Sequence, residues 1–507
     1  MRWGVLAAVW LAAGAAEAAA PLVQQVTVSD RTKGDEFGWS TALDGEDAVV
    51  SLRGRAVNGL TSAGMVVTLR RAGDTWTITQ ILDEAASATH ARQYGHMTAL
   101  GDGLMAIGAP GANASAGAVY LYHDAGGAWV LDTVIADMQP TPDDRVGSSL
   151  AISGTTALIG VTPVTLPAND MAIGKVRVFD YAAGWLQSGL LMASDGEAGN
   201  RFGYAVAIQG DVAVVGAPGK DTARGVAYLF IRTGETWTQT AKLAASDRLA
   251  GDLFGTAVAI SGNAVLVGAY NVLGGTGAAY VFERQGEAWL QTQVLTAPVP
   301  MAGETFGIRV ALSGAYAMVA GYGYDNQAGF GPRGGGYMYG RLEGGYALLT
   351  ALRPDDGVPG DYLGIGAAMA GGVALLGAPY DDAMTLPSYD ITSALGAAYV
   401  FRLSQGVGEA CVASEDCADG TVCCDEACAL VCEVAPTTGG ADESSSSGDE
   451  TGAGSSEGDS GGGSPQPPSP ELEPLSEGCG CRTDGLGAGV WVLVVLLGWR
   501  RRRWRAV

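Results

Sequence analysis

Phe254-Gly255-Thr256-Ala257-Val258-Ala259-Ile260, then Ala264-Val265-Leu266-Val267-Gly268-Ala269, then Ala278-Ala279-Tyr280-Val281-Phe282, then Trp289 through Leu295: four short apolar runs follow one another, separated by Ser-Gly-Asn and glycine-rich breaks. Runs of this length, rich in β-branched and aromatic residues and bounded by turn formers, read as four strands joined by tight turns. Four strands are the content of one propeller blade.

The pattern repeats outward in both directions. Phe254-Gly255 has counterparts at Phe37-Gly38, Tyr94-Gly95, Val146-Gly147, Phe202-Gly203, Phe306-Gly307 and Leu363-Gly364, with successive spacings of 57, 52, 56, 52, 52 and 57 residues. Repetition at this period is the mark of a repeat architecture. A β-sandwich does not need seven copies, and the coils of a β-solenoid are shorter than about 50 residues. The fold expected is therefore all-β, a seven-bladed β-propeller with four strands per blade. Composition agrees, since 78 glycines and 16% charged residues suit short strands and tight turns better than long helices.

The closure of the circle is also legible. The fourth strand carries Trp76, Trp129, Trp185, Trp237 and Trp289, with Tyr346 in the sixth unit, whereas the seventh unit stops at Tyr399-Val400-Phe401. Residues 22–28 precede the first Phe-Gly with the apolar alternation of a fourth strand. The N-terminal strand is expected to complete the last blade and remove an open edge that would invite aggregation. Inner strands such as Ala205-Val206-Ala207-Ile208 carry small and β-branched residues because blades crowd together near the central channel, while the outer Trp fills the wider gap at the rim. The Gly after the aromatic permits close backbone approach or a positive φ.

Phe202-Gly203 followed by Gly216-Ala217-Pro218 resembles the FG-GAP repeat of the integrin α-subunit propeller, as do Tyr94-Gly95 with Gly108-Ala109-Pro110 and Leu363-Gly364 with Gly377-Ala378-Pro379. The resemblance implies a seven-bladed propeller, over residues 21–403, used for extracellular binding. Propellers of that type bind calcium in blade loops through D-x-[DN]-x-[DN]-G, which places several carboxyl oxygens around a hard cation. No such stretch occurs here, and the corresponding loops read Gly219-Lys220-Asp221-Thr222 and Tyr380-Asp381-Asp382-Ala383. The calcium sites of the family are not carried over.

Another acidic pattern recurs five residues apart before the Phe-Gly position: Asp30 with Asp35, Asp247 with Asp252, Asp356 with Asp361, and Asp195 with Asn200. Side chains of this kind bond their own backbone at turns. Two readings follow, a turn device between blades or an ion site, for which calcium is the candidate.

Three motifs that imitate catalytic sites lack the required context. Gly458-Asp459-Ser460-Gly461-Gly462 and Gly454-Ser455-Ser456-Glu457-Gly458 lie in a Ser/Gly/Glu-rich linker with no strand or helix to strain the serine. Gly329-Phe330-Gly331-Pro332-Arg333-Gly334 leads into Tyr337-Met338-Tyr339, another strand, so no helix N-terminus meets a phosphate. With His90, His96 and His123 as its histidines, the chain has little material for His-based hydrolysis. No catalytic residue and no cofactor is expected, and the chain is not read as an enzyme.

The two termini carry export signals. Met1-Arg2, an apolar stretch over residues 4–16 and the small residues Ala16-Glu17-Ala18 give the order of a secretory signal peptide, 1–18. As a membrane anchor that apolar part is too short. Residues 486–499 are apolar and run into Arg500, Arg501, Arg502, Arg503 and Arg505, a marginal span whose arginines would stay cytoplasmic. Gly478-Cys479-Gly480-Cys481-Arg482, this short apolar helix and the arginine cluster together resemble the C-terminal sorting signals of myxobacterial surface proteins, over 478–507. The resemblance implies cleavage near Cys479 or Cys481 and attachment to the cell surface.

Between propeller and anchor, Cys411, Cys417, Cys423, Cys424, Cys428 and Cys432 fall in a segment, 409–432, too short to bury a core without cross-links. In an exported chain they read as a disulfide knot of open connectivity, with zinc as the alternative. Residues 433–477 turn to Ser, Gly, Glu, Asp and Pro and read as an extended, solvated stalk.

A formal net charge of −24 excludes nucleic acid as an expected partner, because its binders present a basic face to phosphate. The acidic coat reads as solubility, or as a collector of divalent cations. The function expected is a surface-displayed binding or adhesion module, its propeller monomeric, held to the membrane by the C-terminal segment. It would recognise an extracellular protein or glycan through the loop face, where residues 381–395 and 322–333 project. A secreted hydrolase of glycans or lipids and a structural envelope protein are the other readings; converging carboxylates at the channel mouth would favour the hydrolase.

Overall fold

At each Phe-Gly pair the chain turns inward to begin the innermost strand of a sheet. The computed structural model describes residues 22–83, 93–136, 144–162, 173–323, 334–342, 344–355, 357, 360–381 and 395–403, together with two short paired strands, Val422–Cys424 and Ala427–Ala429. Six four-stranded antiparallel sheets follow in chain order over residues 37–82, 97–136, 150–191, 205–243, 257–295 and 309–352, here blades 1 to 6. Sheet order equals chain order in each, as hairpin connections require.

Blade 7 is assembled from both ends of the propeller sequence. Its strands Gly366–Ala370, Val373–Ala378 and Ala397–Arg402 are completed by Leu22–Val26, with Gln25 paired to Tyr399 and Val26 to Ala398. The closure expected from the sequence is thus present, and the protein is an all-β, seven-bladed propeller.

Hydrophobic burial lies between blades. Phe254, Val265 and Val267 of blade 5 pack with Val214 and Leu229 of blade 4, and Phe37 and Val50 of blade 1 pack with Leu375 and Val400 of blade 7. Since a single sheet cannot bury both faces alone, each blade is stabilised by its neighbours. The conserved geometry of the Phe-Gly pair serves this seam. The Phe254 ring is fully buried and meets Tyr280 and Phe282 of its own blade edge-on, with centroids 5.5 and 5.9 Å away. Its backbone meanwhile forms a parallel bridge with Gly225 of blade 4. Gly255 follows at φ +90°, and a Cβ there would lie 2.4 Å from the Val226 carbonyl oxygen, so close approach and positive φ both require glycine.

The rim and the far face carry inter-blade hydrogen bonds. Gln80 Nε2 donates to the Trp129 carbonyl at 3.1 Å while the Trp129 N–H donates to Gln80 Oε1 at 2.8 Å. Gln293 makes the same reciprocal pair with Tyr346, and Gln24, on the N-terminal strand, makes it with Trp76. Trp76, Trp129 and Trp185 are buried at the rim, whereas Trp237 and Trp289 are partly exposed. On the far face the hairpin turns are chained, Gly154 N–H donating to Asp102, Gly210 N–H to Ser153 and Gly262 N–H to Gln209.

The signal-type segment 1–18, the stalk, Cys411, Cys417, Cys432, Cys479, Cys481 and Arg500 to Arg503 lie outside the described residues. The backbone register of the short strand pair sets Cys423 opposite Cys428 and Cys424 opposite Ala427.

Candidate functional site

The residue before each Phe-Gly pair has a left-handed backbone and is never glycine: Glu36, Gln93, Arg145, Arg201, Leu253, Thr305 and Tyr362, with φ between 52° and 62°. Left-handed non-glycine residues cost roughly 1–3 kcal/mol and persist only where surrounding structure imposes them. Here the imposing structure is the inter-blade bridge that follows one residue later. The seven-fold repeat thereby places seven side chains of six kinds in a ring where the innermost strands enter the channel, a scaffold that fixes backbone and leaves side-chain identity free.

A cavity of about 500 Å³ opens inside this ring, lined among others by Ser149, His96, Arg145, Arg201, Tyr204 and Arg309. On the side of blades 1 to 3, His96 and Arg145 line it, with Trp39 and Arg53 beside His96. Arg53 stacks its guanidinium on the Trp39 ring, 3.1 Å from the centroid, and donates from Nε to Glu36 at 2.7 Å. Trp39 in turn lies 6.1 Å from the His96 ring. Burial, reinforced by Arg53, Arg145 and Arg309, pushes His96 down to about 3, so the imidazole is neutral through the physiological range.

Of the tyrosines of blades 4 to 7 near the ring, Tyr204 lines the cavity. Tyr322 and Tyr362 have ring centroids 5.1 Å apart, and Tyr362 meets Tyr380 edge-on at 4.9 Å. Tyr204, 40% exposed, extends the arc toward Arg201. Desolvation raises Tyr270 and Tyr322 above the usual phenol range and pushes Tyr380 up to about 12, so these hydroxyls remain donors at any physiological pH. Tyr380 donates to Glu36 Oε1 at 3.3 Å. Glu36 is thus a carboxylate of the mouth tied down on both oxygens.

The acidic pairs singled out in the sequence sit beside this ring and are engaged by the protein itself. Asp35 is buried, accepts from the Thr32 N–H and hydroxyl at 2.7 Å, and is bridged by Arg55, whose other nitrogen reaches Asp30 at 2.6 Å. Asp195 accepts from Lys242 at 2.8 Å and from the Tyr228 hydroxyl at 2.6 Å, which hold it at about 2, while Asn200 accepts from the Glu197 N–H. Asp252 accepts from the Leu249 N–H, and Asp247 bonds the Tyr280 phenol. Asp361 is buried at the corresponding turn, and Asp356 lies outside the described residues. Asp35, Asn200 and Asp252 each accept from the N–H three residues before them, and in blades 1 and 4 the carboxylates face Arg55, Lys220 and Lys242 where a calcium ion would need free oxygens. Among the described residues no three His, Cys, Asp or Glu side chains gather closely enough to hold a metal.

The FG-GAP repeat family matches four stretches, residues 22–66, 185–230, 237–282 and 348–401. Four stretches of the propeller are FG-GAP repeats. Each matched FG-GAP unit starts on an outermost strand and ends on the third strand of the following blade, so the unit itself straddles the blade seam. An FG-GAP array that begins with an outer strand must leave its last blade one strand short, and Leu22–Val26 fills that place. No curated protein matches the chain.

The mouth residues were not singled out from the sequence. Arg145 and Arg201 share one repeat position, but Arg309 stands at another, and only winding the repeats into a circle brings them to one cavity. The signal available was the column before Phe-Gly, where six kinds of side chain stand in seven copies.

Proposed function

We propose that this FG-GAP propeller is an exported, surface-displayed recognition module whose ligand docks at the channel mouth. The observation that carries the reading is the ring of seven side chains, of six kinds, on left-handed backbone beside a polar cavity: a rigid frame presenting variable chemistry is the architecture of a binding site. Export and display are supported by the terminal segments, and the stalk between them would hold the propeller away from the membrane. Hydrolysis of the acid–base kind needs a second carboxylate facing the first across the reacting bond. At the described mouth Glu36 is held by Arg53 and Tyr380.

The test is a binding screen of the purified full chain against arrayed glycans, proteins and envelope extracts, with product analysis. Saturable binding with intact ligand is expected; release of cleaved product would replace this reading with the hydrolase.

A further inference from the structure

Several arginines of this acidic propeller are each paired with two carboxylates. Arg55 bridges Asp30 and Asp35, Arg70 bridges Asp47 and Asp124, and Arg232 bridges Asp180 and Asp211. The mouth departs from this pattern. Arg145, Arg201 and Arg309 line one cavity, and among the described residues none of the three has an acidic partner. Arg309 Nη1 donates to the Ile308 carbonyl at 3.1 Å. Its position, two residues after Gly307, is held in the two blades before it and the one after it by Ala205, Ala257 and Gly366, so the arginine enters space that those small residues leave open.

We propose that the channel mouth binds the oxyanion of an acidic saccharide, a uronate carboxylate or a sulfate ester, between Arg145, Arg201 and Arg309, with the tyrosine arc against the sugar ring. The proposal rests on the recognition reading above and names its ligand class. Guanidinium forks match planar oxyanions in a bidentate geometry that an ammonium cannot offer. Like charges gathered around a confined cavity repel one another, and desolvation already holds Arg309 below its ordinary range; a bound anion relieves both penalties. The lining favours a saccharide over an acidic peptide. Ser40, Thr98, Ser149 and Thr256 give the cavity a polar lining, their hydroxyls engaged with one another or with the Gly203 and Leu253 carbonyls, whereas a peptide anchor asks for a well-packed apolar pocket. Tyr204, Tyr322 and Tyr362 each offer an apolar ring face and a hydroxyl, the two kinds of surface that a pyranose presents.

Calorimetric titration of the full chain tests this with four probes: a hexameric polygalacturonate, a sulfated galactan hexamer, the fully methyl-esterified neutral hexamer, and a hexaglutamate peptide. At least one acidic saccharide is expected to bind ten-fold or more tightly than the neutral hexamer and the peptide, and which one binds assigns carboxylate or sulfate. Arg201→Gln and Arg309→Met are each expected to weaken that binding about ten-fold, with circular dichroism unchanged; exposed Arg201 is the variant least able to disturb folding. Failure of both acidic saccharides to bind, equal binding of the peptide, or binding indifferent to both variants overturns the proposal. If another ligand from the screen binds the same face while these variants change nothing, the recognition reading stands and the acidic-saccharide assignment falls.

Discussion

Phe37 and Gly396 lie near opposite ends of the propeller sequence and are joined by a parallel β-bridge, the same bridge that links Phe254 to Gly225 and Phe306 to Gly277. The seam that closes the circle is therefore built like the seams within it. Gly396 has φ +78°, and a Cβ there would sit 2.4 Å from the Phe37 carbonyl oxygen. Gly396→Ala is expected to destabilise the propeller by at least ~2 kcal/mol through left-handed strain and displacement of the bridge. Urea unfolding measures it, and a loss below ~0.5 kcal/mol would show that the seam is not closed as described.

Gln24 offers a gentler probe of the same closure. Its amide donates to the Trp76 carbonyl at 2.8 Å and accepts from the Trp76 N–H at 2.7 Å, repeating what Gln293 does for Tyr346. Gln24→Ala and Gln293→Ala are each expected to cost about 1–2 kcal/mol, and the pair to be additive because the sites are remote. Deleting residues 22–28 goes further, leaving strand Ala397–Arg402 as an open edge. Aggregation of that variant in light scattering is the expected outcome.

His96 sets a pH dependence whose sign is fixed by its burial. In the folded chain the imidazole stays neutral down to about pH 3, whereas the unfolded side chain takes up a proton near 6.5. Between these values the unfolded state binds the extra proton, so folded stability falls as pH drops from about 6.5 toward 3, and His96 adds no pH dependence above that window. His96→Gln removes this component. Melting temperatures from pH 7 to 4 should fall less steeply for the variant, and parallel curves would contradict the assignment.

Asp221, Thr222 and Ala223 form three consecutive left-handed residues, with φ of 55°, 59° and 61°. Such a conformation costs an L-residue roughly 1–2 kcal/mol, and a β-branched side chain bears it worst. Thr222→Gly is expected to stabilise the propeller by about 0.5–1 kcal/mol, net of the entropy that glycine adds to the unfolded chain. Differential scanning calorimetry reads this as a raised melting temperature.

The fold was legible because propeller physics acts locally and repeats. Phe254, Gly255 and the strand that follows carry their packing instructions in adjacent residues, and seven copies make the period plain. Even closure could be read, since the missing outer strand after Phe401 and the surplus strand at Leu22 were both visible. The mouth was not legible, because its chemistry is assembled across blades: Arg309 has meaning only beside Ala257 and Gly366, which stand next to it in the ring and far from it in sequence. Asp30 and Asp35 were visible as a pair, but their engagement by Arg55 depends on the hairpin of Phe37–Asp44 and Asp47–Leu52 folding Arg55 back beside them and could not be inferred from spacing.

The central claim, that recognition takes place at the channel mouth, is tested most directly by amide hydrogen exchange of the full chain with and without its tightest-binding acidic saccharide. Protection is expected in residues 93–98, 145–150, 201–206 and 305–310, where the left-handed ring enters the inner strands. Protection confined to the rim strands Thr75–Leu82 and Thr236–Leu243, or to the far-face turns at Gly154 and Gly210, would contradict it.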